Sequence, residues 1–199
     1  WGGYDYDTLS DDLGSIIKEY VGAQDATILG FSMGGGEVAR YMSRHGGHGV
    51  KQAILVASVV PYMLKTADNP SGVDQAVFDG AAKAIKEDRA RFWPGFFKDF
   101  YGVANQSQTV SDEVLEWSRD VSMQAGLNAT LGCAKAFSST DFRPDLASFR
   151  VPTLIIHGTA DKTVPIDTSA RQAAAGISIC SCIQCANSSR GVRKIAPPV

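Results

Sequence analysis

The sequence predicts an α/β fold, a mostly parallel sheet flanked by helices, with a helical cap inserted into it. Largely apolar stretches at 26–29, 53–57 and 151–158 have the composition of buried strands, and helical patterns separate the first two. Continuous apolar strands that alternate with helices predict a parallel sheet covered on both faces. Between residues 61 and 140 only helical patterns occur, which indicates the insertion.

The first predicted element is a helix, because apolar residues recur at helical spacing from Leu9 to Tyr20. Thr8 and Asp11 have the spacing of an N-terminal capping pair, and Gly22 is placed to end the helix. The first strand, residues 26–29, follows directly.

A Gly-x-Ser-x-Gly motif, centred on Ser32, lies between this strand and a helix that runs to about His45. Strand, sharp turn and helix are the context in which this motif forms a nucleophile elbow. The Ser32 hydroxyl is expected above the sheet, beside the Met33 N–H and the positive helix N-terminus, a setting suited to an oxyanion. A Cβ at Gly30 or Gly34 is expected to clash. The alternative interpretation is a glycine-rich turn that holds a serine by chance.

Gly46 to Gly49 end the elbow helix, and the second strand follows. The insertion then shows four helical patterns, at 73–87, 89–100, 112–124 and 127–137. Its many aromatic side chains either pack among themselves or line an apolar substrate pocket. The predicted pocket residues are Phe31, Phe92, Trp93, Phe96 and Val164.

Asp161 lies in the loop after the third strand. The carboxyl ends of strands are where open α/β sheets bind ligands. Since serine precedes aspartate in the chain, as in Ser…Asp…His triads that use a nucleophile elbow, Asp161 is the predicted triad acid. The alternative is an exposed, solvated carboxylate.

Composition argues against several classes of function. The chain has 199 residues, 44% hydrophobic and 20% charged, with a net charge of −2 and a pI near 5.9. These values suit a globular protein with one core and favour neither nucleic acid nor an anionic membrane surface as a partner. No apolar run approaches the roughly 20 residues of a membrane span. A cytoplasmic location is the expectation.

The four cysteines predict neither disulfides nor a metal site. Cys133 falls in an apolar helical stretch and is expected to be a buried thiol. Cys180, Cys182 and Cys185 cluster near the end of the chain, with no fourth Cys or His nearby to complete a zinc site. Reduced thiols in a cytoplasmic protein are the expectation.

Several longer segments carry a family resemblance: Tyr4-Asp5-Tyr6-Asp7, residues 30–37 (GFSMGGGE), 63–66 (MLKT), 135–142 (KAFSSTDF) and 152–158 (PTLIIHG). Through them, residues 1–175 resemble the cofactor-free haloperoxidase, perhydrolase and arylesterase group of the α/β-hydrolases. The resemblance implies an α/β-hydrolase core at 1–60 and 141–175, a helical cap at 61–140 and an atypical tail at 176–199.

The resemblance also implies a mechanism. Ser32 would be the nucleophile, Asp161 the orienting acid, and the Met33 N–H half of the oxyanion hole. A small or aryl ester, or a carboxylic acid, would acylate the serine, and water or hydrogen peroxide would then attack. With peroxide the product is a peracid, which oxidises halide in solution. No haem, vanadium or other metal or cofactor is implied.

Two parts of the family pattern are not found. The other oxyanion donor is expected upstream of Trp1, and no histidine follows His157, nor does residue 176 onwards read as a strand followed by histidine. We expect a truncated chain, with a tail that comes from a frameshift, a splice variant or a gene fragment. His157 is expected to be held in its strand away from the role of base, and His45 and His48 to be exposed turn residues.

Three hypotheses follow. The chain is a serine hydrolase of this family, or a binding protein that keeps a pocket without a base, or a fragment that does not fold stably because its sheet edge is exposed.

Overall fold

The computed structural model describes residues 2–103, 110–185 and 193–195. They form two compact units, one of Gly2–Val73 with Ala136–Val199, the other of Asp74–Lys135. The predicted tail falls in part outside the described residues, at 186–192 and 196–199. In the part of the chain described, no helix combines the length and apolar character needed to cross a membrane.

The larger unit is built on a five-stranded sheet with the strands in chain order. The strands are β1 Ala26–Phe31, β2 Val50–Val56, β3 Thr153–Gly158, β4 Cys180–Cys185 and β5 Arg193–Ile195. The first four are parallel, and β5 is antiparallel to β4. The three strands predicted from the sequence are confirmed.

β4 corrects one expectation. The segment after residue 176 is expected to lack the family's final strand and its histidine, yet Cys180–Cys185 forms a strand that pairs in parallel with β3 along its whole length. The polar residues Ser181 and Gln184 interrupt the apolar pattern that would predict a strand from the sequence. In the structure, pairing with β3 favours the strand in spite of them.

Among its described residues the larger unit has three complete α-helices and two shorter helical segments. They are α1 Tyr6–Ser15, which continues as a π-helix at Ile16–Val21, α2 Met33–Arg44, a 3₁₀ turn at Arg143–Ser148, and α6 Ala170–Gly176. α2 packs against β1 and β2, α6 against β3 and β4, and α1 against α2. Close packing requires glycine at residue 36, where a Cβ would lie 2.5 Å from the Phe142 ring and 2.7 Å from that of Tyr6.

The start of α1 differs from the prediction. Asp5, and not Thr8, is the N-cap, and its carboxylate accepts the Thr8 N–H at 2.9 Å. The predicted end is confirmed, since Gly22 follows the π-helix in the left-handed conformation.

Among the described residues one face of the sheet is more fully buried than the other. The buried side chains of this face include Leu55, Ile155 and His157. On the other face Leu29 is 59% exposed and Phe31 51% exposed. A groove of about 480 Å³ is lined by the middle of β2 and by the amino ends of β3 and β4.

The smaller unit is helical. α3 spans Gln75–Phe100 and α4 spans Asp112–Gln124, while α5, Leu127–Ser139, begins in this unit and ends within the residues of the larger one. α3 bends at Asp88, whose φ of −158° and ψ of 86° are not helical. The predicted pair of helices at 73–87 and 89–100 is therefore confirmed as two segments on either side of this bend.

Three of the four cysteines, Cys133, Cys180 and Cys182, are described by the structure as free thiols. Cys133 is half-buried, where a buried thiol is predicted, and Cys182 is buried. Burial raises the pKa of Cys180 to about 11 and also raises the pKa of Cys133 and Cys182. A raised pKa lowers the thiolate fraction at neutral pH, so none of the three has the electrostatics of a nucleophile.

Candidate active site

Ser32 occupies a strained turn between β1 and α2. Its φ of 50° and ψ of −118° lie in a region that residues with a Cβ rarely adopt. Neighbouring hydrogen bonds fix this conformation. The Ser32 N–H donates to the Val56 carbonyl at 2.9 Å, and the Ser32 carbonyl accepts from the N–H groups of Gly35 at 3.1 Å and Val59 at 3.2 Å. Backbone strain that the surroundings hold in place is typical of functional sites.

The glycines around Ser32 do not play equal parts. A Cβ at Gly30 would lie 2.4 Å from the Gly34 carbonyl oxygen, so the predicted clash occurs there. At Gly34 the prediction is wrong, because no atom beyond its own helix backbone lies within 4 Å of its Cβ position. The second close approach is at Gly35, where a Cβ would lie 2.0 Å from the Ser58 Oγ. Ser58, in the loop after β2, therefore requires glycine at position 35. The five-residue motif alone does not predict this.

Met33 is the first residue of α2, so its N–H has no acceptor within the helix. The Tyr6 hydroxyl donates to the Met33 carbonyl at 3.1 Å. Through this bond α1 fixes the peptide unit between Met33 and Gly34. Sequence reasoning missed this part played by Tyr6, although Tyr6 lies in one of the segments that carry the family resemblance.

Glu37 is a second carboxylate close to the elbow in sequence. It is half-buried in α2. Burial, and to a smaller extent the charge of Asp12, raise its pKa above the ordinary value. Its charged form is thus less favoured than that of an exposed glutamate.

Asp161 lies in the loop that follows β3. Its Oδ1 accepts the N–H groups of Thr163 at 2.9 Å and Val164 at 2.8 Å, and its side chain is 20% exposed. The predicted alternative of a freely solvated carboxylate does not describe this arrangement. Ser32 and Asp161 follow parallel strands with β2 between them, so both lie at the carboxyl edge, about 10 Å apart in strand spacing.

The histidines are not placed to serve Ser32 as a base. The His157 side chain is fully buried, and its Nε2 lies 2.8 Å from the Val164 carbonyl oxygen. His45 follows the last residue of α2, about 18 Å along the helix axis from its start. Its Nε2 lies 2.8 Å from the Asp11 Oδ1, and its side chain is 18% exposed, whereas an exposed residue is predicted. His48 is exposed, as predicted.

The predicted pocket residues fall in both units. Val164 is 4% exposed, and Phe31 ends β1 on the less covered face of the sheet. Phe92, Trp93 and Phe96 lie on α3, with ring centroids 5.1 to 5.8 Å apart. These three side chains pack against one another, which agrees with the interpretation that the aromatic residues of the insertion pack among themselves. Their part in a substrate pocket stays a prediction.

A family profile described as "alpha/beta hydrolase fold" matches residues 1–187. The chain is 45% identical over 169 residues to a protein from Synechocystis named putative non-heme chloroperoxidase, covering 84% of this chain and 60% of that protein. It is 38% identical over 176 residues to the bifunctional esterase/perhydrolase of Acinetobacter calcoaceticus, covering 87% and 63%.

Solved structures show the same likeness. The crystal structure of bromoperoxidase from Bacillus anthracis superimposes with a TM-score of 0.89 at 37% identity, covering 94% of this chain and 67% of that one. The chain spans about 60% of the length of the curated relatives named above.

Proposed function

This chain belongs to the alpha/beta hydrolase fold family, and from that premise we propose that it is a serine hydrolase related to the non-haem haloperoxidases. The observation that carries the proposal is the backbone of Ser32, a strained residue with a positive φ at the junction of β1 and α2. Such a turn exposes a serine hydroxyl at the top of a sheet, beside the backbone N–H of the following residue.

In the proposed reaction Ser32 Oγ attacks the carbonyl carbon of a small ester. The Met33 N–H stabilises the oxyanion, the alcohol leaves with the serine proton, and an acyl-serine remains. Water then releases the carboxylic acid, or hydrogen peroxide releases a peracid, and either regenerates the hydroxyl. The use of peroxide, and of halide as the species that the peracid oxidises, is suggested by the names of the relatives.

Asp161 is the proposed acid of the triad, and no histidine follows His157 in this chain to stand between it and Ser32. Loss of one triad member lowers turnover by on the order of 10⁴ to 10⁶. We therefore expect acylation of Ser32 to be slow. The strained turn and the Met33 N–H are what remains to accelerate it.

The test compares Ser32→Ala with Ser71→Ala, which removes an exposed hydroxyl elsewhere in the same unit. The purified chain is treated with a fluorophosphonate, and intact mass and peptide mapping locate the adduct; p-nitrophenyl acetate hydrolysis is followed in parallel. We expect an adduct on Ser32 in the wild type and in Ser71→Ala, and none in Ser32→Ala. Equal labelling of all three proteins would contradict the proposal.

A second candidate is a family member that binds a small carboxylic acid or ester without turning it over. Retention of the Ser32 turn is compatible with both functions. Saturable binding of an aryl ester, with no adduct and no hydrolysis above the Ser32→Ala background, is the result that would select this alternative.

A further inference from the structure

His157 is the one histidine of the chain that is almost fully buried, at 2% exposure. It is the next-to-last residue of β3, and its Nε2 lies 2.8 Å from the carbonyl oxygen of Val164, seven residues further along. A carbonyl oxygen only accepts hydrogen bonds. The hydrogen bond therefore places a proton on Nε2.

Val164 connects this histidine to Asp161. The Val164 N–H donates to the Asp161 Oδ1 at 2.8 Å, while the Val164 carbonyl accepts from His157. The Asp161 Oδ2 lies 3.7 Å from the His157 Nε2, which is beyond hydrogen-bond distance. Asp161 therefore binds the N–H of Val164 and His157 binds its carbonyl. The position of Val164 in turn fixes the direction of the Asp161 carboxylate.

The other nitrogen of the ring shows that packing alone does not account for a histidine here. The His157 Nδ1 is buried and has no hydrogen-bond partner among the residues that the structure describes. A buried polar atom without a partner costs free energy that an apolar side chain of similar size, such as leucine, would avoid. What imidazole provides at this position, and leucine does not, is the Nε2–H.

We propose that His157 is a positioning residue for Asp161: by holding the Val164 carbonyl it keeps the loop 158–164 in the conformation that aims the carboxylate. This inference rests on the proposed function in taking Asp161 as the triad acid. It gives His157 a part in the site other than that of a base.

The first measurement uses the unmodified chain. Two-dimensional ¹⁵N–¹H spectra of the histidine rings report the tautomer directly, and we expect His157 in the Nε2–H form. The Nδ1–H form would overturn the proposal, whether or not any variant folds.

The second measurement compares His157→Leu, which keeps volume without a donor, with His157→Gln, whose amide N–H can reach toward the same carbonyl. Hydrogen exchange is followed at the amides of Thr163 and Val164, with the Thr8 amide, held by Asp5, as an internal control. We expect His157→Leu to speed exchange at 163 and 164 by roughly tenfold, and His157→Gln to recover most of the protection.

Three outcomes would overturn the proposal: unchanged exchange at 163 and 164 in His157→Leu, an equal acceleration at Thr8, or no recovery in His157→Gln. Fluorophosphonate labelling of the unmodified chain is recorded alongside. Absence of an adduct on Ser32 would count against the proposed function, while the tautomer and the exchange rates would still decide the role of His157.

Discussion

At the scale of single residues, the site depends on what surrounds the motif. Ser32 holds its positive φ because Val56 and Val59 bond its N–H and its carbonyl. Both partners come from β2 and the loop after it, which are distant from the elbow in sequence. A sequence motif predicts that such a turn exists, but the groups that fix it come from the next strand.

The two glycines of the motif offer a matched pair of substitutions. We expect Gly30→Ala to lower the free energy of unfolding by about 3 kcal/mol, since its Cβ would meet backbone atoms that cannot move aside. Gly34→Ala, in open space within a helix, should raise it by roughly 0.5 kcal/mol. Urea unfolding measures both, and a similar loss in the two variants would contradict the assignment of the close approach to Gly30.

Tyr6 supports the oxyanion side of the turn. Tyr6→Phe removes the hydroxyl that donates to the Met33 carbonyl, and we expect a loss of about 1 kcal/mol in the free energy of unfolding. Slower fluorophosphonate labelling of Ser32 should accompany it. Tyr20→Phe, at a ring that is 84% exposed, is the control and should change neither quantity.

At the scale of elements, hydrophobic period predicts the helices well and their ends less well. The four helical patterns of the insertion appear in the structure, and the bend at Asp88 falls between the first two. The N-terminus of α1 is mispredicted because Asp, Thr and Ser recur at positions 5, 7, 8, 10, 11 and 12 and give several spacings that suit a cap. Only the backbone conformation shows which residue is the cap.

The Asp5 cap gives a prediction with a definite pH dependence. Hydrogen bonds from Thr8, first from its backbone N–H, lower the pKa of Asp5 below the ordinary 3.8. A carboxylate whose pKa is lower in the folded state adds stability above the ordinary pKa and loses it as the pH falls through the lowered value. We expect Asp5→Ala to melt at a lower temperature than wild type at pH 7, with the gap closing on acidification.

Asp5→Asn is the matched variant, because asparagine caps helices well but does not titrate. Its melting temperature at neutral pH should lie closer to that of wild type than to that of Asp5→Ala. A gap between wild type and Asp5→Ala that stays constant down to pH 2 would contradict the assigned role of the charge.

At the scale of the whole molecule, the less covered sheet face is the feature with the largest expected effect in solution. Exposed Leu29 and Phe31, beside half-buried Ile54, make a continuous apolar surface on β1 and β2. Apolar patches of this kind bind hydrophobic dyes and favour self-association.

We expect the folded chain to bind anilinonaphthalene sulfonate, and Leu29→Lys to reduce that binding while the melting temperature stays near that of wild type. Val77→Lys is the control, since Val77 is also 59% exposed but lies on α3. If both variants reduce dye fluorescence equally, the dye does not report on this face.

The insertion has a consequence for how such a protein diversifies. The chain leaves the sheet after β2 and returns at β3, and Phe92, Trp93 and Phe96 are all encoded in that excursion, whereas Ser32 and Asp161 are encoded on either side of it. Closing a longer loop costs only the logarithm of its length. One contiguous block of codons can therefore be lengthened, shortened or exchanged during evolution, while the pairing of β2 with β3 keeps the flanking residues in register.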